Sequence, residues 1–485
     1  MSDPSTCDLL IQRALLFDGV GSPPVAGDLA VTGDRIAVIG DLRGWHGKET
    51  IDAHGLALAP GFIDVHTHDD RALLAGDMAA KTSQGVTTVV TGNCGISLAP
   101  LSLRAAPPPP LDLLGAREDY RYPTFAAYLE ALDRQPPAVN AACLVGHSTL
   151  RVGAMSELDR PATAGEIAAM QEKLREALDA GAIGLSTGLA YATAVESETA
   201  EVQALATLLK PAGAIHTTHM RNEEAHVTEA MDEAFAIGKS ADVPVVISHF
   251  KVHGKANFGR SVETLAKFDA QRRKQPLGLD AYPYSASSTV LRTEWVDEAP
   301  KVMVTWSVPH PEMTGRMLEK VAAEWNCSQE AAAKRLQPAG AVYFAMDEAD
   351  VRRILSYQHT MIGSDGLPHD AHPHPRLWGS FPRVLGHYAR DERLFPMEEA
   401  IRRMTGLSAE RFGLAGRGRL MQNYAADLVL FDPKTVRDRA TFEDPKQPSA
   451  GIHSVWVNGQ AVWREGAATD ARPGRVLRGE ACGEG

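Results

Sequence analysis

Two histidines one residue apart, His66 and His68, stand in the run Gly61-Phe62-Ile63-Asp64-Val65-His66-Thr67-His68-Asp69. In an extended segment, residues two apart project to the same side. The two imidazoles therefore converge and can share a metal ion. Alone, the pair reads equally well as two polar residues at a strand end, because short motifs recur by chance. Four more candidates close short apolar stretches: Cys94 in Thr91-Gly92-Asn93-Cys94-Gly95, then His219, His249, and Asp365 in Gly363-Ser364-Asp365-Gly366. Each has an ordinary explanation: an inert buried thiol, a hydrogen-bonded core histidine, an aspartate in a turn. Together they supply the sulfur, nitrogen and oxygen donors that zinc accepts. Asp365 could bind the ion or take a proton from water. The chemistry implied is zinc-dependent hydrolysis.

Such a cluster needs elements that end at one place. Eight apolar pulses run through the middle of the chain: Phe62–His68, Thr87–Cys94, Ala141–His147, Ala182–Thr187, Ala214–His219, Val243–His249, Leu277–Tyr282 and Thr360–Asp365. Helical patterns lie between several of them. Residues 163–180 begin with a capping box at Thr163 and Glu166, place Ile167, Met170, Leu174 and Leu178 on one face, and stop at Gly181. Residues 222–238 and 397–408 are further candidates. The fold class is therefore α/β: a (β/α)8 TIM-like barrel over 59–414, with its chemistry at the C-terminal strand ends. The stretch of about 285–358 is too long for a plain connection and reads as an inserted lid subdomain. Residues 1–58 and 415–485 are short strands and turns, with a hairpin signal at Asn458-Gly459. Neither end can build a core alone, so the two are expected to form one small β-sandwich domain. Pro107–Pro110 reads as a stiff spacer.

At 485 residues, 44% hydrophobic and 23% charged, the composition is that of a globular protein. A net charge of −12 disfavours nucleic acid or an anionic membrane as partner, while leaving room for a small anionic substrate. Cys7, Cys94, Cys143, Cys327 and Cys482 are scattered and odd in number, which is no disulfide framework. The N-terminus lacks a basic start and apolar run, and no stretch approaches the roughly 20 apolar residues of a membrane span. A cytoplasmic location follows as the expectation. The sequence leaves the oligomeric state open.

The donor pattern resembles that of the amidohydrolase superfamily. Longer runs narrow the likeness: Phe62-Ile63-Asp64-Val65-His66-Thr67-His68-Asp69-Asp70, Ser83-Gln84-Gly85-Val86-Thr87-Thr88-Val89-Val90-Thr91-Gly92-Asn93-Cys94-Gly95, Thr218-His219-Met220-Arg221, Ser248-His249-Phe250-Lys251 and Gly363-Ser364-Asp365-Gly366. These resemble the D-aminoacylases, or N-acyl-D-amino-acid deacylases, over nearly the whole chain. The resemblance implies one tight zinc on Cys94, His219 and His249, and a weaker position on His66, His68 and Asp365, with Asp365 as general base. The fourth pulse, Gly184-Leu185-Ser186-Thr187-Gly188, lacks the lysine that most of the superfamily places there. That absence weighs against a hydantoinase or dihydroorotase.

The same resemblance implies a substrate site. An α-carboxylate taken out of water needs a partner; Lys251 and Arg376 match, and an arginine fork suits a carboxylate. Tyr282 could donate a further hydrogen bond. Tyr191 could as well, with packing as its alternative role. The stretch Ser287–Trp295 lies where the family reads the substrate side chain. Arg292 could meet an acidic side chain, but Trp295 occupies the register where glutamate-specific members carry arginine. The expectation is therefore an apolar D-amino acid, with N-acyl-D-glutamate or N-acyl-D-aspartate as the alternative. A cyclic-amide hydrolase and a non-catalytic metal-binding scaffold are the remoter ones. His216 stands three residues before His219 and could compete as a donor. His369, His372 and His374 cluster near Arg376 among prolines, which suggests a loop.

Overall fold

The computed structural model describes residues 6–76, 78–297 and 299–479. Eight parallel strands form the barrel: β1 (Phe62–Asp64), β2 (Val86–Thr91), β3 (Asn140–Gly146), β4 (Gly184–Gly188), β5 (Ile215–His219), β6 (Val245–Ile247), β7 (Leu277–Ala281) and β8 (Thr360–Ile362). They pair in chain order from β1 to β8. A parallel bridge between Thr67 and Gly366 brings the two edge strands together. There the Asp365 amide donates to the His66 carbonyl at 2.8 Å. Each strand is buried along its length, as expected of parallel strands covered on both faces.

The helices follow the periodic patterns, with shifted ends. Ala164–Asp179 carries the capping box: the Glu166 amide donates to Thr163 Oγ1, and Glu166 accepts the Thr163 amide at 2.8 Å. The helix expected from residue 222 begins at Val227 and runs to Ala241. Asn222 Oδ1 accepts the amides of Glu224 and His226, and that side-chain turn replaces the first helical turn. The 397–408 pattern divides into Met397–Met404 and Gly406–Arg411, broken at Thr405.

Between β7 and β8, the strands Ser287–Val290, Ala339–Tyr343 and Val302–Ser307 form a small antiparallel sheet. Its own core includes Leu291, Trp295, Val304, Leu318, Val321, Leu336 and Tyr343. The helix Glu348–Ser356, within the span assigned to the insertion, instead buries Val351, Ile354 and Leu355 in the barrel core. The two ends of the chain meet in one nine-stranded sheet, where Ala57–Pro60 pairs antiparallel with Leu428–Phe431. Leu9, Ile11, Leu29, Leu428 and Trp456 share its core. No helix is long and apolar enough to cross a membrane among the described residues. Cys7, Cys94, Cys143 and Cys327 are free thiols, and Cys482 lies outside the described residues.

Candidate active site

The barrel mouth gathers six donors from five strand ends. His66 and His68 follow β1, Cys94 follows β2, His219 closes β5, His249 follows β6 and Asp365 follows β8. Cys94, His249 and Asp365 have φ of 53°, 36° and 50°, a left-handed conformation that costs a non-glycine residue energy. Around Cys94 the chain has little room: a Cβ on Gly92 would lie 2.1 Å from the Leu144 carbonyl oxygen, and one on Gly95 2.6 Å from the Gly188 amide nitrogen. Those glycines let the loop press against β3 and β4 and aim the sulfur inward.

Two sets of donors result. Cys94, His219 and His249 form one, and His66, His68, Cys94 and Asp365 form the other. Within each set the donor atoms lie within 4.8 Å of one another. Cys94 Sγ is 3.3 Å from His249 Nε2 and 3.2 Å from His66 Nε2. Zinc bonds of about 2.3 Å to sulfur and about 2.0 Å to nitrogen, at a tetrahedral angle, separate such ligands by about 3.5 Å. The Cys94–His249 separation is that of two ligands on one ion, and the donor types suit zinc. Cys94 belongs to both sets, a sharing that linear spacing did not reveal. Burial pushes its thiol up, but the neighbouring charges of His66 and His249 hold it well below the ordinary thiol value. That favours the thiolate, the form that binds metal.

Asp365 Oδ1 is 3.2 Å from His68 Nε2 and 3.5 Å from His66 Nε2. Its Oδ2 is 2.8 Å from Arg376 Nη1. Burial raises its pKa, yet Arg376 and His66 outweigh that and keep the carboxyl well below the usual range. The carboxylate is thus held ionised beside the two histidines.

A second ring of residues fixes the first. Asp280, at the end of β7, accepts the His249 amide at 2.9 Å and lies 3.4 Å from His66 Nδ1. Glu223 lies 3.0 Å from His249 Nδ1 and accepts from Lys251 Nζ at 2.7 Å. Beneath β1 and β8, the buried Lys81 ammonium donates to Asp64 and Ser364, each at 2.8 Å, and lies 3.1 Å from Asp69. Sequence reasoning missed all three anchors. Asp280 carried the clearest signal, a strand-end position like the donors; Glu223, four residues after His219, carried a weaker one.

The space over the donors is small, about 20 Å³. Lys251, Tyr282, Tyr191 and Trp295 line it, with Thr289, Leu113 and Leu367. Arg376 lies behind Asp365, stacked 4.6 Å from the Tyr282 ring, with Nη2 donating to the Ser288 carbonyl at 2.9 Å. Its Nε has no hydrogen-bond partner among the described residues. Arg292 is not in the lining. Its guanidinium lies 4.2 Å over the Trp295 ring and donates to Glu294 at 2.8 Å. Tyr191 stacks near His219, ring centroids 4.8 Å apart, and shares a hydrogen bond with Thr289.

The other histidines point elsewhere. His216 Nε2 meets Thr187 Oγ1 at 3.1 Å, and burial takes its pKa down to about 3, so it stays neutral and outside both sets. His374 contacts the Ala286 carbonyl and His372 the Phe442 carbonyl, consistent with a loop.

A parallel barrel carrying a histidine, cysteine and aspartate donor set at its mouth defines a metal-dependent hydrolase, and the chain belongs to the amidohydrolase family, whose description "Amidohydrolase family" matches residues 49–293 and 312–463. Within it, the chain is 57% identical to the D-aminoacylase of Alcaligenes xylosoxydans xylosoxydans over 98% of each chain. It is 53% identical to the N-acyl-D-aspartate deacylase of the same organism, over 98% of this chain and 95% of that one. The crystal structure of the N-acyl-D-glutamate deacylase of Bordetella bronchiseptica, complexed with zinc and a phosphonate inhibitor, superposes with a TM-score of 0.95 at 47% identity, covering 98% of this chain and 100% of that one.

Proposed function

We propose that this chain is a zinc-dependent deacylase that hydrolyses N-acyl-D-amino acids with apolar side chains. The observation that carries the reading is the pair of donor sets joined at Cys94, with Asp365 held ionised between His68 and Arg376. Bound by Cys94, His219 and His249, zinc supplies a Lewis acid for the scissile carbonyl and makes water acidic enough to react near neutral pH. Asp365 accepts the proton of the attacking water and returns it to the leaving nitrogen. His66 and His68, with Asp365, form the weaker second position.

Lys251, Arg376 and Tyr282 take the substrate α-carboxylate. Lys251 stands on the site wall, and Arg376 offers the unpaired Nε. Trp295, with Tyr191 and Thr289, forms the side-chain wall. An acidic side chain would require Arg292 to leave Glu294 and the Trp295 ring, so an apolar one is favoured. On this reading the enzyme acts on a small molecule. The test is turnover of a panel of N-acetyl-D- and N-acetyl-L-amino acids, with dihydrouracil alongside, by the zinc-loaded protein. Preference for N-acetyl-D-leucine, -methionine or -phenylalanine is expected. Preference for N-acetyl-D-glutamate would overturn the side-chain assignment, and turnover of dihydrouracil alone would overturn the reaction class.

A further inference from the structure

Outside the donor site lies a second and much larger cavity, of about 610 Å³. The two share Leu113 as a wall. The cavity is bounded by the loop after β2, the inserted sheet and the loop after β8, through residues such as Pro107, Leu113, Trp306, Val308 and Asp370. The proline run that looked like a spacer thus forms part of its rim. Its surface is mainly carbon: prolines, alanines, a leucine, a valine and an indole.

The inner site has little room to spare. If Lys251 and Tyr282, with Arg376 behind them, take the α-carboxylate and Trp295 with Thr289 takes the side chain, the aliphatic part of the remaining lining is Leu113 and Leu367. An amide substrate has one further arm, the acyl group, and on the aliphatic side of the site Leu113 is the wall shared with the larger cavity. Leu113 is where that arm would leave.

We propose that the cavity beyond Leu113 receives the acyl chain, so that the enzyme prefers N-acyl-D-amino acids with medium-length apolar acyl groups over N-acetyl ones. This rests on the deacylase reading and adds the acyl class to it. Two carboxyl groups on the cavity wall, Asp112 and Asp370, are compatible with an apolar guest. Burial pushes each of them up to about 7, so a substantial fraction is uncharged near neutral pH. The nearby Arg71 and Arg117 are occupied by Asp119 and Glu118.

The test compares kcat/KM for N-octanoyl-D-leucine and N-acetyl-D-leucine. Each methylene fully buried is worth about fourfold, and octanoyl adds six, so even partial burial gives at least about tenfold. Val308→Trp and Ala116→Trp narrow the cavity from its rim, at two exposed positions remote from the donors. Each is expected to reduce the octanoyl advantage about tenfold while leaving acetyl turnover near the starting value, which also serves as the folding control. An octanoyl-to-acetyl ratio near one in the starting protein would overturn the proposal, as would a high ratio that neither variant lowers. Absence of turnover with both substrates would instead overturn the deacylase reading on which it rests.

Discussion

Glu223→Gln isolates what the buried anion behind the metal site contributes. The substitution keeps the shape and removes the charge. In the folded protein that charge lies 2.7 Å from Lys251 Nζ, 3.0 Å from His249 Nδ1 and 3.9 Å from His219 Nε2. Two effects follow. The partner of a histidine ligand fixes its ring orientation and basicity, and removing such a partner costs about 10–100-fold in metal affinity. The Lys251 ammonium, buried with Glu223 as its counter-charge, is left uncompensated, and breaking a buried pair this way costs about 3–5 kcal/mol of stability. Zinc affinity by chelator competition and urea unfolding of the metal-free protein measure the two separately. Adding Lys251→Met removes the orphaned charge, so the double variant should regain most of the stability while zinc stays weak. A single variant that binds zinc within twofold of the starting protein and unfolds at the same urea concentration would refute the reasoning.

Three shorter tests address other parts of the molecule. Asp365→Asn should keep the tight zinc, measured by metal analysis, and lower kcat by about 10²–10⁴-fold; near-normal turnover would remove Asp365 from the proton-transfer role. Lys81→Met leaves the buried Asp64 and Asp69 without their shared cation and should cost about 3–5 kcal/mol in urea unfolding, whereas a change below about 1 kcal/mol would show that the network is dispensable. Burial raises the Asp370 carboxyl from 3.8 to about 7, so the folded state holds a proton that the unfolded chain has already released above pH 4. Stability should therefore fall as pH rises from about 4 to 7, by up to about 4 kcal/mol, and level off above. Asp370→Asn should remove its share of that slope in urea unfolding at stepped pH, leaving the share of Asp112, which burial raises equally, and an unchanged slope would count against the assignment.

The donors were legible in the sequence because each ends an apolar pulse, and a barrel collects strand ends at one rim. The anchors were not. Glu223 sits between His219 and the helix beginning at Val227, where an acidic residue ordinarily serves the helix itself. Lys81 lies on a four-residue helix and reaches Ser364 across 283 positions of sequence, a contact no local pattern encodes. Arg376 is implied as a carboxylate binder by the family resemblance, but its contact with Asp365 appears only once β8 and the helix after it are folded. The start of the helix at Val227 was misplaced because Asn222 satisfies two backbone amides with its side chain, a local competition that hydrophobic periodicity does not register. Leu113 gave no signal at all, since its importance lies in separating two cavities.

The strand Ala57–Pro60 leads directly into β1 and its two histidines, and its antiparallel partner is Leu428–Phe431. The pairing is tight at the junction, where the Gly61 amide donates to the Asp427 carbonyl at 2.8 Å. As the chain leaves the ribosome, the segment that delivers the first metal donors must wait for some 370 further residues before its neighbour exists. Closing so long a loop is slow, and an unpaired strand edge invites association in the meantime. The order of synthesis therefore sets when the metal centre can mature: zinc that arrives before Leu428–Phe431 has docked meets donors whose strand is not yet anchored. Newly made protein should fill the position of His66, His68 and Asp365 late, and any condition that delays docking of the C-terminal strands should leave that position unfinished.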